Sequence, residues 1–185
     1  KNIKRLAAYS SIGHMGYVLA GLTTGNDLGV QSSLIYLVIY LIMSLGAFSC
    51  VFMMKRENIF YENINDLSGL SKNHPLYALS FLIILFSLAG IPPLAGFFAK
   101  LYIFIAVIEA KMYGLAIIGL LTTVVSAFYY LRLIKIMYFD KPKKIFEISY
   151  DWGLKIPMIF STFLLITYFI YPGILIDIVS LIKTY

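Results

Sequence analysis

Lys100 stands inside an apolar stretch, four residues after the run Gly90-Ile-Pro-Pro-Leu-Ala-Gly96, and is the only charged residue between Leu85 and Val107. An ammonium at the bilayer centre costs roughly 2.5–3.5 kcal/mol on insertion scales, so an intramembrane lysine is a candidate functional group by default. A buried amine can take up or release a proton as nearby charge and hydration change. The bland alternative is a lysine that snorkels to an interface; the apolar residues that continue to Val107 argue against it. Glu109 lies nine residues beyond Lys100, about 13 Å along a helix. It is either the exit-side partner of a proton relay or an interfacial carboxylate beside Lys111. His14, within Ser10-Ser-Ile-Gly-His-Met-Gly16, is either a proton shuttle or a hydrogen-bonding group in a small-residue helix interface. Tyr36, Tyr40 and Ser44 recur at four-residue spacing on one helix face, where helix-packing hydrogen bonds are the simpler reading. Thr122, Thr123, Ser126 and Tyr130 form a similar set, with Arg132 near its end.

These residues need helices to hold them at depth. The chain has 185 residues, is 61% hydrophobic and only 13% charged, with mean hydropathy +0.87. Soluble domains carry about 45–50% apolar and about 25% charged residues, so the composition reads as an all-α integral membrane protein. Five apolar regions are long enough to span: 6–22, about 30–54, 76 to about 110, 113–138 and about 154–171. The third, at roughly 35 residues, would reach about 50 Å as a straight helix, against a hydrocarbon core of about 30 Å. Gly90, Pro92, Pro93 and Gly96 resolve the excess by breaking it into two half-helices. Such a break is tolerated at membrane depth only beside protein or a water-lined cavity. After Pro172-Gly173 a short amphipathic helix over 174–183, containing Asp177, is expected to lie in the interface. The expected architecture is one membrane domain over 1–185 with about five transmembrane helices.

Charge supports that topology. Five crossings place twelve of the fifteen Lys and Arg residues on one side, only Lys111 and Lys183 on the other, and Lys100 between. That asymmetry is the positive-inside signature. The net charge of +6 therefore flanks spans and does not form a nucleic-acid surface. The single cysteine, Cys50, has no partner for an intrachain disulfide and fits no metal motif. No phosphate loop, CxxC pair, nucleophile elbow or HExxH occurs, so no cofactor or metal site is expected within the chain. No cleavable signal is expected, since residues 1–5 lead straight into a helix carrying His14. The sequence does not open on Met, which fits a fragment, a processed product or an unusual start codon.

Three segments carry a resemblance. NIKRLAAYSSIGHMGY (2–17), SLAGIPPLAGFFAKLY (87–102) and VVSAFYYLRLIKIMY (124–138) resemble, in the same order, helices of the antiporter-like subunits of respiratory NADH:quinone oxidoreductase (complex I). The likeness is closest to the branch formed by subunit 2 and its bacterial counterpart, subunit N. Larger relatives carry histidines and a lysine where this chain has Tyr36, Tyr40 and Ser44. MYFDKP (137–142) looks more mitochondrial or alphaproteobacterial than plastid, and the composition suits an AT-rich organellar genome.

The resemblance implies a proton-translocating membrane-arm subunit in which the membrane-centre lysine falls on Lys100. NADH, FMN, iron–sulfur clusters and quinone are then bound in partner subunits. The implied partners are other membrane-arm subunits and lipids, in the mitochondrial inner membrane or, alternatively, a bacterial plasma membrane. The family has about fourteen helices and the likeness covers the last five. A separate chain carrying the upstream helices, or a truncated sequence, is therefore expected. The alternatives are a subunit of a multisubunit cation/proton antiporter or membrane-bound hydrogenase, and a non-conducting structural subunit.

Overall fold

The computed structural model describes residues 2–56, 59–60, 62–142, 151–168, 170–171 and 173. Helix α1 (Ile3–Leu22) turns through Gly25 into α2 (Asp27–Met53). A pair of two-residue strands, β1 (Lys55–Arg56) and β2 (Ile59–Phe60), a 3-10 turn (Ile64–Leu67) and the four-residue α3 (Leu70–Asn73) then lead to α4 (Pro75–Ala89). Helices α5 (Ala95–Glu109), α6 (Tyr113–Phe139) and α7 (Trp152–Thr167) complete the described chain. The expected terminal helix over 174–183, with Asp177, lies outside the described residues.

Local chemistry explains the helix boundaries. Asn2, Asn26 and Asp151 each accept a backbone N–H of the first turn they precede, from Arg5 (3.1 Å), Gly29 (2.8 Å) and Gly153 (2.9 Å). Pro75 opens α4, where its missing N–H costs nothing. Helices α2 and α6, 27 residues each, are long and apolar enough to cross a bilayer alone. Helices α4 and α5 have 15 residues each, about 22 Å, and neither reaches across by itself. Joined through 90–94 they form one interrupted helix pair, broken where the glycines and prolines imply.

Helix α2 is central and touches α1, α4, α5 and α7. Its buried side, with Tyr36, Ile39, Met43 and Cys50, meets Phe81 and Ile84 of α4 and Ile103 of α5 in one apolar core. Where α2 and α7 approach, Gly46 lies against Ser161, small residues that let backbones come close without a hydrophobic driving force from water. The outer faces remain apolar: Val124, Val125 and Phe128 of α6 are largely exposed, as surfaces bathed by lipid or by other helices must be.

Candidate functional site

The site begins with an accounting of backbone groups. A helix C-terminus leaves four carbonyls without intrahelical partners. At the end of α4 these belong to Phe86, Ser87, Leu88 and Ala89. Gly90 adopts a left-handed conformation (φ 83°), and its N–H donates to the carbonyls of Phe86 and Ser87 while that of Ile91 donates to Phe86. The carbonyls of Leu88 and Ala89 remain, and Lys100 Nζ donates to both at 3.1 Å. The lysine of α5 thus caps α4, at the end where the helix dipole favours a cation. Lys100 is 4% exposed.

The other side of the break is closed by Ser87. Its Oγ accepts the Gly96 N–H (3.0 Å), an orphan donor of the first turn of α5, and its O–H donates to Met43 Sδ (3.1 Å). Gly96 lies so close to the Ser87 carbonyl that a Cβ there would collide with it. The Pro92–Pro93 bond is cis.

Next to Lys100 lies a chain of aromatic and hydroxyl groups. The Tyr17 ring centroid is 5.3 Å from Nζ. His14 is buried and packs edge-on against Tyr17, with ring centroids 6.4 Å apart. Its Nδ1 shares a hydrogen bond with the Tyr36 hydroxyl (2.8 Å), its Nε2 one with Tyr130 (3.2 Å), and its ring stacks on Tyr40 at 4.7 Å. Tyr130 is hydrogen-bonded in turn to Ser10, to which Tyr129 donates at 3.2 Å. Both imidazole nitrogens are engaged, and a neutral ring has one donor and one acceptor. A proton arriving at one nitrogen can therefore be matched by one leaving the other. A cleft of about 420 Å³ between α1, α5 and α6 reaches this chain, lined by His14, Tyr17, Phe104, Thr122, Ser126 and Tyr129.

The structure brings together Lys100, His14, Tyr36, Tyr40 and Tyr130, which the sequence places on four separate helices. It leaves Ser44 outside, bonded back to the Leu41 carbonyl (3.0 Å). Glu109 is exposed as the last residue of α5. Sequence reasoning passed over Tyr17, Ser10, Ser87 and the two carbonyls. The carbonyls could have been found by asking which groups a Gly90 break strands; Tyr17 has no distinguishing local signal among fifteen tyrosines.

A buried charge ordinarily demands a paired counter-charge. Among the described residues the polar partners of Lys100 are carbonyl dipoles, not a carboxylate. An ammonium has three donors and a neutral amine two, so the two carbonyl bonds can persist in either state. The arrangement is suited to an amine whose charge changes during function. Among the described residues no three His, Cys, Asp or Glu side chains gather to hold a metal ion.

Similarity to known proteins bears on this geometry. A family model described as NADH:quinone oxidoreductase/Mrp antiporter, transmembrane, matches residues 1–126. The chain is 62% identical over 182 residues, 98% of its length, to NADH-quinone oxidoreductase subunit N of Pelagibacter ubique (strain HTCC1062), and covers 39% of that protein. It superposes on a chain of respiratory complex I from Thermus thermophilus with a TM-score of 0.80 and 33% identity, covering 94% of itself and 39% of that chain. A chain of the Mrp complex from Dietzia sp. DQ12-45-1b shares the fold at a TM-score of 0.82 and 19% identity, over 96% of this chain and 41% of the other. The chain thus spans about two-fifths of the length of the proteins it matches. With the interrupted α4–α5 helix pair, the lysine that caps it and the family match over more than half its length, this multi-pass membrane chain belongs to the NADH:quinone oxidoreductase/Mrp antiporter family of transmembrane subunits.

Proposed function

We propose that this chain acts as the C-terminal part of a proton-translocating membrane-arm subunit of NADH:quinone oxidoreductase, and that Lys100 is its relay group. The observation that carries the reading is the buried amine of Lys100 bound to two carbonyls stranded by a broken helix, with no carboxylate among its described partners. NADH, FMN, iron–sulfur clusters and quinone belong in this reading to partner subunits, so the chain contributes to an H+-translocating reductase without a redox centre of its own. Charge or hydration changes arriving from neighbouring subunits alter the proton affinity of Lys100, and the break at Gly90–Gly96 supplies the place where water and the half-helices adjust. His14, linked to Tyr36 and Tyr130, offers a hydrogen-bonded branch toward Ser10 and Tyr129. Glu109 enters only as a surface carboxylate on the side to which the proton is released. The upstream helices of the longer relatives are required for a full path, on the same polypeptide or on a second chain. The relatives described above are bacterial, which favours a bacterial plasma membrane over a mitochondrial inner membrane.

The test is Lys100→Met in the assembled complex. Protons moved per electron should fall while native-gel assembly and NADH dehydrogenase staining persist; an undiminished ratio in assembled complex would overturn the relay. An antiporter subunit would keep the same lysine and show sodium dependence without quinone chemistry. The high identity to a subunit N favours the first reading, since the likeness to the Mrp chain rests on fold alone.

A further inference from the structure

We infer that Tyr17 is a positioning residue for Lys100: the face of its ring holds the ammonium at the helix break, and two threonines of α6 hold the ring. The inference rests on the relay role of Lys100 proposed above. Two of the three ammonium donors go to Leu88 and Ala89, and the Tyr17 ring centroid lies 5.3 Å from Nζ, within the range of a cation–π contact. Such a ring attracts a cation through its quadrupole, more strongly when water is excluded, and is nearly indifferent to a neutral amine. Tyr17 is 6% exposed and Lys100 is 4% exposed, so the contact is shielded from water within the protein.

The hydroxyl of Tyr17 points the other way, into α6. Thr122 and Thr123 each donate their single hydroxyl proton to the Gly119 carbonyl, at 2.8 and 3.0 Å. The Tyr17 hydroxyl shares hydrogen bonds with Thr123 at 2.7 Å and Thr122 at 3.1 Å, and reaches the same Gly119 carbonyl at 3.4 Å. Hydrogen bonding through the hydroxyl thus leads away from Lys100. Tyr17 acts on the lysine through its ring face and is not a link in a proton wire to it. Phe104, one turn beyond Lys100 on α5, packs edge-on against the same ring at 6.0 Å, and Tyr36 packs on it at 5.7 Å. Four helices consequently fix one ring plane: α1 carries it, α2 and α5 pack on it, and α6 anchors its hydroxyl. A shift of α6 against α1 would move the ring under the lysine.

The experiment replaces Tyr17, in the full-length subunit of the intact membrane complex, by Phe and then by phenylalanines carrying three and five ring fluorines. The series keeps the shape of the ring while removing the negative face. Tyr17→Phe keeps the ring face but releases the hydroxyl from Thr122 and Thr123, and its rate is the reference for the fluorinated series. The fluorinated residues should lower the rate stepwise at constant assembled complex, by about two- to thirty-fold overall. Tyr17→Leu, which removes the ring, should match the five-fluorine residue; if that variant does not assemble, the fluorinated series decides. A flat series, or native rates in assembled Tyr17→Leu, overturns the inference. Lys100→Met separates the two claims. If it leaves translocation intact, the relay itself fails. If it stops translocation while the fluorinated series is flat, only the role of Tyr17 fails.

Discussion

Gly90 and Gly96 show how single residues make the buried lysine tolerable. At Gly90 the left-handed turn returns two N–H groups to the end of α4, and a Cβ there would stand 3.0 Å from Lys100 Cδ. At Gly96 the obstacle is the Ser87 carbonyl, which belongs to backbone and cannot swing aside as a lysine stem can. Gly96→Ala should therefore be the more damaging change, an overpacking that costs about 1–3 kcal/mol. Thermal inactivation of the assembled complex reads this out, and an unchanged midpoint would speak against so tight a crossing of the half-helices. Lys100 itself was legible in the sequence because a charge in an apolar run is conspicuous and costly. His14 was legible as polar but not as a hub, because its partners Tyr36 and Tyr130 lie 22 and 116 residues away.

At the scale of elements, caps and breaks were readable because they are local. Asn, Asp, Gly and Pro act within a few residues of themselves, and the break after α4 falls where Gly90 and the two prolines place it. The tether of α1 to the connecting segment was not readable in the same way. Glu62 accepts from Lys4 (2.6 Å) and Asn2 (2.8 Å), and its carbonyl accepts the Ile3 N–H (2.8 Å), pinning the start of α1 outside the membrane. The hydrogen bond from Lys4, and then that from Asn2, hold the Glu62 carboxyl below its ordinary value of 4.5. A lowered carboxylate contributes stability that is complete above the ordinary value and is lost as pH falls through the lowered one. Amide exchange at Ile3 should thus be protected at neutral pH, and the protection lost on acidification below the ordinary carboxylate range. Glu62→Gln should remove that pH dependence, and a pH-independent protection in the native chain would count against the tether.

For the whole molecule, the apolar outside of α6 and the partial coverage of longer relatives point to assembly as the decisive context. Gentle solubilisation, a native gel stained for NADH dehydrogenase and mass spectrometry of the active band should find this chain beside polypeptide carrying the upstream helices. Migration apart from that activity would favour the antiporter reading. By itself the sequence determined the membrane class, the long apolar helices, the break between α4 and α5 and the identity of its buried cation, because hydropathy, proline and glycine act over short distances and a desolvated charge carries a large cost. Only the tertiary structure decided what surrounds that cation. Which carbonyls it binds, which ring lies against it and which histidine lies near it depend on how α1, α2, α4, α5 and α6 pack, and packing in lipid is set by shape and hydrogen bonding between residues far apart in the chain.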